Sequence, residues 1–260
     1  MQFLTIPPGA ETVMPSGTRY ADYANVHNYI YHPNAPGLEE NKTWKAADPT
    51  RACKVDGLYG EFGVTWARHF PGNSDASLLT LPRVTTETGT TIGGVITEKI
   101  HALNLLTMYL DQFKRGWSYT AIYLLRDRTD ESGNQRFGFY APDYTPRKAA
   151  VYLHNMTAIL ADTGDFTPGK LDYTVANQPA TAHDLLLQKS NGTFDLAVWD
   201  ERIGGTTDKV DVTFGKTFGM AKLYDPTKGA AEIQTLTNTS TISLTLSDHP
   251  VIVEMFDRKE

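Results

Sequence analysis

Apolar positions follow two different rhythms along the chain. Up to about residue 163 they occur in short runs or at spacings of three and four; from Asp165 they fall into short alternating runs. Residues 2–6 are a short apolar run stopped by Pro7, Pro8 and Gly9, which suits a buried strand entering a loop. Residues 23–31 alternate, so Asn25, His27, Tyr29 and Tyr31 share one face while Ala24, Val26, Asn28 and Ile30 share the other. The first of these faces is polar and aromatic, unusual for a plain core strand. Residues 81–89 predict a short strand that ends on Glu87, followed by Gly89 and a helix-forming segment. Ile96, Ile100, Leu103, Leu106, Leu110 and Phe113 then recur at helical spacing, and Gly116 is placed to end that helix. Residues 117–125 read as a buried strand rich in β-branched and aromatic residues, and Pro146 opens a second helix running from Arg147 to about Ala161.

Strands alternating with helices imply parallel pairing through right-handed crossovers. About four strands are visible, half the number in a closed eight-stranded barrel. The long connection 32–81, with a candidate helix in 57–70, has the length of a functional loop or insertion. Beyond Asp165, seven runs (185–189, 194–199, 210–214, 220–224, 233–236, 241–246 and 251–255) are parted by Gly, Asn, Asp and Pro and predict an antiparallel β-sandwich. No charged linker separates the halves, so residues 1–163 should form an α/β part, with the sandwich of residues 164–260 packed directly against it.

With 260 residues, 40% of them hydrophobic, the chain is long enough to bury a proper core. A net charge of −6 and the absence of a Lys/Arg run argue against nucleic acid or an anionic membrane as partner. Cys53 is the single cysteine, no Cys/His cluster has zinc spacing, and Asp127, Asp130 and Glu131 fit no calcium loop, so no cofactor or metal is expected. No stretch has the length of a membrane span. Residues 1–8 lack the basic start and long apolar run of a signal; a secreted or periplasmic location is expected, with any signal removed or upstream.

At a strand tip Glu87 reads either as a site carboxylate, as at the strand ends of α/β barrels, or as a surface glutamate in a Thr-rich turn. Its company is what gives it interest. The stretches Asn-Val-His-Asn-Tyr at 25–29, Thr-Glu-Thr-Gly at 86–89, Trp-Ser-Tyr at 117–119 and Phe-Gly-Phe-Tyr-Ala-Pro-Asp-Tyr-Thr-Pro-Arg-Lys-Ala-Ala at 137–150 together resemble the second half of a retaining glycoside hydrolase of the large TIM-barrel clan. The ending Asp-His-Pro-Val-Ile-Val-Glu at 248–254 resembles the C-terminal β-sandwich many of those enzymes carry.

The resemblance implies a partial (β/α)8 barrel, strands five to eight, followed by that sandwich. It makes Glu87 the match for the nucleophile at the end of strand seven. It implies a polar strand-six residue, matched by His27 or Tyr29, and an aromatic platform on strand eight, matched by Trp117, with Tyr119 beside it on the same strand. His27 reads equally as a hydrogen-bonded core histidine, and Trp117 as core packing. The partner implied is an oligo- or polysaccharide, for which thirteen Tyr, eleven Phe and four Trp are a compatible surface.

One part of the pattern is missing. Retaining hydrolysis needs a second carboxyl roughly 5 to 5.5 Å from the first, and the clan's acid/base follows an Asn at the end of strand four. No Asn-Glu pair occurs in this sequence. Glu11 and Glu61 are substitutes that read more simply as loop residues, and Glu39–Glu40 as an exposed pair. A half-barrel also leaves strand edges to cover, which predicts a homo-oligomer or a further N-terminal half. Three readings stand: a glycosidase, a carbohydrate-binding module without turnover, and an assembly module.

Overall fold

The computed structural model describes residues 22–30, 42–49, 81–130, 135–202 and 205–257. The expectations for residues 2–6 and 57–70, and for Glu11, Tyr31, Glu39, Glu40, Cys53, Glu61 and Glu131, lie outside the described residues. Three parallel strands, β1 (Ala24–Asn25), β2 (Arg83–Thr88) and β3 (Trp117–Ile122), pair in the order β1-β2-β3. Helices α1 (Lys42–Ala46), α2 (Glu98–Lys114) and α3 (Lys148–Ile159) accompany them.

Helix α2 begins where Thr97 accepts a hydrogen bond from the Ile100 N–H at 3.2 Å. It ends at Gly116, whose φ of 80° is open to glycine at little cost. The spacing predicted one apolar stripe, yet residues 101–108 and 110–112 are all buried while Phe113, the last of the stripe, is 62% exposed. The helix is covered on two sides. Ala102, Leu105 and Met108 pack with Ile30, Phe139 and Ala149, whereas Leu106 and Leu110 pack with Met156 and Ile159 of α3 and with the second sheet.

That second sheet has six antiparallel strands: β4 (Tyr173–Ala176), β5 (Ala182–Gln188), β6 (Phe194–Asp200), β7 (Asp208–Tyr224), β8 (Glu232–Leu246) and β9 (Val251–Phe256). All seven predicted runs are strand. Four of them join pairwise into the long β7 and β8, and the 173–176 strand is an addition, four residues long and alternating half-buried with exposed positions, too short to stand out as a run.

The β7–β8 register shifts between Thr213 and Phe218. Before that break β7 lies between β4 and β8; after it, between β8 and β9. Val210 and Val212 from one arm share a core with Ala221 and Leu223 from the other, so the sheet folds over a single apolar interior.

Strand β6 is buried at every position. Phe194, Leu196 and Val198 face the interior of the sheet, while Ala197 and Trp199 face α2 and α3. This two-sided burial is what joins the halves directly.

A charged cluster supports the same joint. The His249 ring lies 3.0 Å from Asp248 and 3.3 Å from Asp225, Lys228 reaches Asp225 at 3.0 Å, and Lys99 at the start of α2 reaches Asp248 at 2.9 Å. Burial opposes the charged imidazole, but the two carboxylates outweigh it and raise its pKa from 6.5 to about 9. For Asp248 burial is likewise outweighed, by His249 and Lys99, which hold it at about 2.

A raised histidine pKa contributes stability that is complete below 6.5 and lost as pH rises through about 9. The depressed Asp248 contributes above its ordinary value of 3.8 and loses that as pH falls toward 2. The melting temperature should therefore decline between pH 7 and 10. His249→Ala should lower stability by about 2 kcal/mol at neutral pH and remove most of that decline; a wild-type slope retained in the variant would refute the assignment.

Candidate functional site

The site forms at the C-terminal end of β2. Between Thr85 and Thr88 the ladder to β3 slips: Thr85 pairs with Thr120 and Thr88 with Ile122, so β2 carries one residue more than its neighbour. Such a bulge re-aims a side chain, and Glu87 sits within it. The Thr85 hydroxyl fixes the bulge locally, donating to the Glu87 carbonyl at 3.0 Å and accepting from the Glu87 N–H at 3.3 Å.

Residues 25–30 track the other edge of β2. Asn25 replaces ladder bonds with its side chain, accepting from the Thr86 N–H at 3.0 Å and donating to the Thr86 hydroxyl at 2.9 Å. Farther along, the Thr88 hydroxyl donates to the Asn28 carbonyl at 2.9 Å and the Ile30 N–H to the Gly89 carbonyl at 3.3 Å. The predicted alternation holds here: Asn25, His27 and Tyr29 all reach the Thr86–Glu87 side, while Val26, Asn28 and Ile30 are buried.

The Glu87 carboxylate is held at both oxygens. The Tyr29 hydroxyl donates a short hydrogen bond to Oε1, and His27 Nδ1 stands 3.5 Å from Oε2. His27 Nε2 is 3.1 Å from the Thr86 hydroxyl, so the ring bridges the two side chains of the bulge. Glu87 stays 33% exposed at its side chain, within reach of a ligand in solvent.

The Tyr29 ring, in turn, meets Tyr123 and Phe137 edge-on at centroid distances of 6.5 and 5.7 Å, and those two meet each other at 5.8 Å. Mutual edge-to-face contact among three rings fixes all of them. The Tyr123 hydroxyl also donates to Gln135.

The loop bearing Phe137 is anchored from below. Arg147 pairs with buried Asp127 at 2.5 Å and with Glu98 at 3.1 Å, and Asp127 accepts from the Gly138 N–H at 2.7 Å. The Glu98 pKa lies below its ordinary value, chiefly through the hydrogen bond it accepts from the Lys148 N–H, with Arg147 adding to it against the opposing effect of burial.

Glu87, His27 and Tyr29 are thus brought together, but Trp117 and Tyr119 are not. Trp117 pairs with Arg83 at the opposite end of the sheet, is buried, and donates its indole N–H to the Ala47 carbonyl at 2.8 Å. Tyr119 is 59% exposed opposite Val84. The physical reason is strand direction: parallel neighbours of a residue at a C-terminal tip must themselves come from C-terminal tips. That logic selects Tyr123, just past the end of β3, and it was available in the sequence. The Asn25 clamp and Phe137 carried no comparable signal.

No protein-family model matches the chain, and no curated protein does. Among solved structures it is similar to a family 39 glycoside hydrolase from the gut symbiont Bacteroides cellulosilyticus, with 17% identity and a TM-score of 0.48, over 67% of this chain and 34% of that one. It is similar to the catalytic domain of the family 30 xylanase C from Talaromyces cellulolyticus, with 12% identity and a TM-score of 0.44, over 91% and 62% of the two chains. For the family 44 endoglucanase of Clostridium thermocellum the figures are 11% identity, a TM-score of 0.42, and 92% and 48%. The chain therefore spans between a third and two thirds of the length of these structures. Among the described residues no helix is long and apolar enough to cross a membrane.

Gly89 follows the bulge, and a Cβ there would lie 2.6 Å from the Tyr123 carbonyl oxygen, a backbone atom that cannot swing aside. Gly89→Ala should destabilise the fold by about 1–3 kcal/mol and weaken the near-ultraviolet circular dichroism of the Tyr29–Tyr123–Phe137 cluster. Unchanged denaturation and spectrum would contradict this geometry.

Proposed function

We propose that the chain is a glycosidase-like, carbohydrate-active protein in which Glu87 is the nucleophilic carboxylate. The observation that carries the reading is the pairing of Glu87 with the Tyr29 hydroxyl and His27 at the tip of a parallel strand. A carboxylate oriented by a hydroxyl, with its second oxygen turned toward an imidazole and solvent, suits attack on an anomeric carbon. The C–O bond to the leaving sugar breaks as the Glu87 ester forms, and the departing oxygen takes its proton from a general acid. The resemblance in residues 25–29, 86–89 and 137–150 supports the same role, with β1, β2 and β3 as strands six to eight of a partial barrel and the bent antiparallel sheet as the appended sandwich.

The general acid is assigned to a group outside the described residues, from the same chain, a second copy or a further N-terminal half. A secreted or periplasmic location follows from a polysaccharide substrate. His27 and Tyr29 then act beside Glu87, with Tyr123 in the place expected of Trp117.

A good leaving group removes the need for the acid and makes the nucleophile testable alone. Dinitrophenyl β-glycosides should be turned over by the wild-type chain, and Glu87→Gln should lower that rate by roughly 10⁴-fold. A 2-fluoro glycoside should leave its mass on the peptide containing Glu87. Equal rates in the two proteins, with no label, would remove the enzymatic reading. The firm hold of Tyr29 on Glu87 also suits an acceptor for sugar hydroxyls in a module that only binds. In that case oligosaccharides raise the melting temperature without turnover, since a ligand of the folded state stabilises it.

A further inference from the structure

Away from the β2 tip, three potential metal ligands meet inside the joint between the two sheets. Asp111 comes from the last turns of α2, His183 from β5, and Glu201 directly follows β6. All three are buried, Asp111 completely. Their nearest ligand atoms lie within 4.8 Å of one another.

Each carboxylate has one oxygen held from behind and the other aimed at the common point. Asp111 Oδ1 accepts from the Trp199 indole N–H at 3.1 Å, and Glu201 Oε1 accepts from the Trp44 N–H at 2.8 Å. Asp111 Oδ2 and Glu201 Oε2 are buried with no hydrogen bond of ordinary geometry, although Thr43 lies near enough to favour the Asp111 carboxylate and the two carboxyl groups lie near enough to act on each other; Glu201 Oε2 stands 3.5 Å from His183 Nε2. The imidazole is stacked on Trp44, with ring centroids 4.1 Å apart and planes 13° apart, and tilts against Trp199. Two indoles therefore flank the imidazole.

We propose that Asp111, His183 and Glu201 form a binding site for one first-row divalent cation of the zinc type, which ties α2 to the antiparallel sheet. The geometry fits such an ion. Ligands about 2.0–2.2 Å from a tetrahedral zinc are roughly 3.3–3.6 Å apart, which is the spacing of Glu201 and His183; the widest gap needs movement of about an ångström. One imidazole and two carboxylates are a nitrogen–oxygen set suited to zinc and its neighbours rather than to soft Cu(I). Ligands gripped from behind are the usual condition of a metal site.

Electrostatics agree with the geometry. Burial pushes Asp111 well above its ordinary carboxylate range and Glu201 to about 7, the direction expected of carboxylates buried without a countercharge. Burial also lowers the His183 pKa, against the opposing pull of Asp111. A bound cation supplies the charge that two buried carboxylates need.

The test uses the full chain after chelator treatment. Zinc added in equilibrium dialysis should bind at one ion per chain and raise the melting temperature by roughly 5–10 °C at saturation, with magnesium giving no comparable rise. Asp111→Asn and Glu201→Gln keep shape and hydrogen bonding, so each should fold and lose both zinc uptake and the thermal shift. Should neither fold, cobalt bound to the wild type decides: intense visible bands of a low-coordinate nitrogen–oxygen site are expected. Absence of stoichiometric zinc, or zinc uptake undiminished in a folded variant, or cobalt with only the weak bands of a hydrated ion, would overturn the proposal.

Discussion

A three-stranded parallel sheet exposes more apolar surface than it can hide, and parallel sheets persist only where both faces are covered. Most of this structure answers that constraint. Helix α2 packs against the parallel sheet and against α3, and it then has a second apolar side of its own to bury. The antiparallel sheet supplies that cover through Trp199, which is fully buried and bonded to Asp111. Strand β6 is therefore core on both faces. The polar links across the joint, from Lys99 to Asp248 and from Asn155 to the Pro226 carbonyl, fix its register once the apolar contacts have set its area.

The Glu87 region depends on a smaller constraint. A bulge leaves backbone groups without ladder partners, and each must be satisfied. At 85–88 side chains do this: Asn25 bonds Thr86 twice, Thr85 bonds the residue two places on, and Thr88 reaches Asn28. The run of threonines is what makes this feasible, since each has a hydroxyl short enough to reach the main chain beside it. A strand of Val and Ile at the same positions would pair straight and turn position 87 elsewhere.

Much of this was legible in the chain. The alternation at 23–31 gave the right faces for His27 and Tyr29 because the period of a strand is strict, and Gly116 marked its helix end because few other residues tolerate a positive φ. The seven runs after Asp165 appeared for the same reason. What failed was inference across elements. Trp117 stands out by chemical type, but strand direction sets it beside Arg83 at the end of the sheet away from Glu87. The joining of four runs into two long strands was hidden by the Gly215 and Thr217 region, which reads as a turn yet continues the strand. The Asp111–His183–Glu201 cluster was invisible because its members are 72 and 18 residues apart and no local motif connects them.

The two acidic centres meet opposite conditions, and this decides what each can do. Glu87 keeps a third of its side chain in water, and its neighbours serve to aim it. Such a carboxylate is available to an incoming ligand but gains catalytic strength only when that ligand displaces the water around it. Asp111 and Glu201 have no water to lose; their charge must be met by a proton or a cation from the start. Of the two centres, the β2 tip is therefore the one open to an external ligand. The buried cluster, flanked by Trp44 and Trp199 and spanning three elements, acts on the fold itself, by setting how firmly the helix beneath the parallel sheet is held against the sheet that covers it.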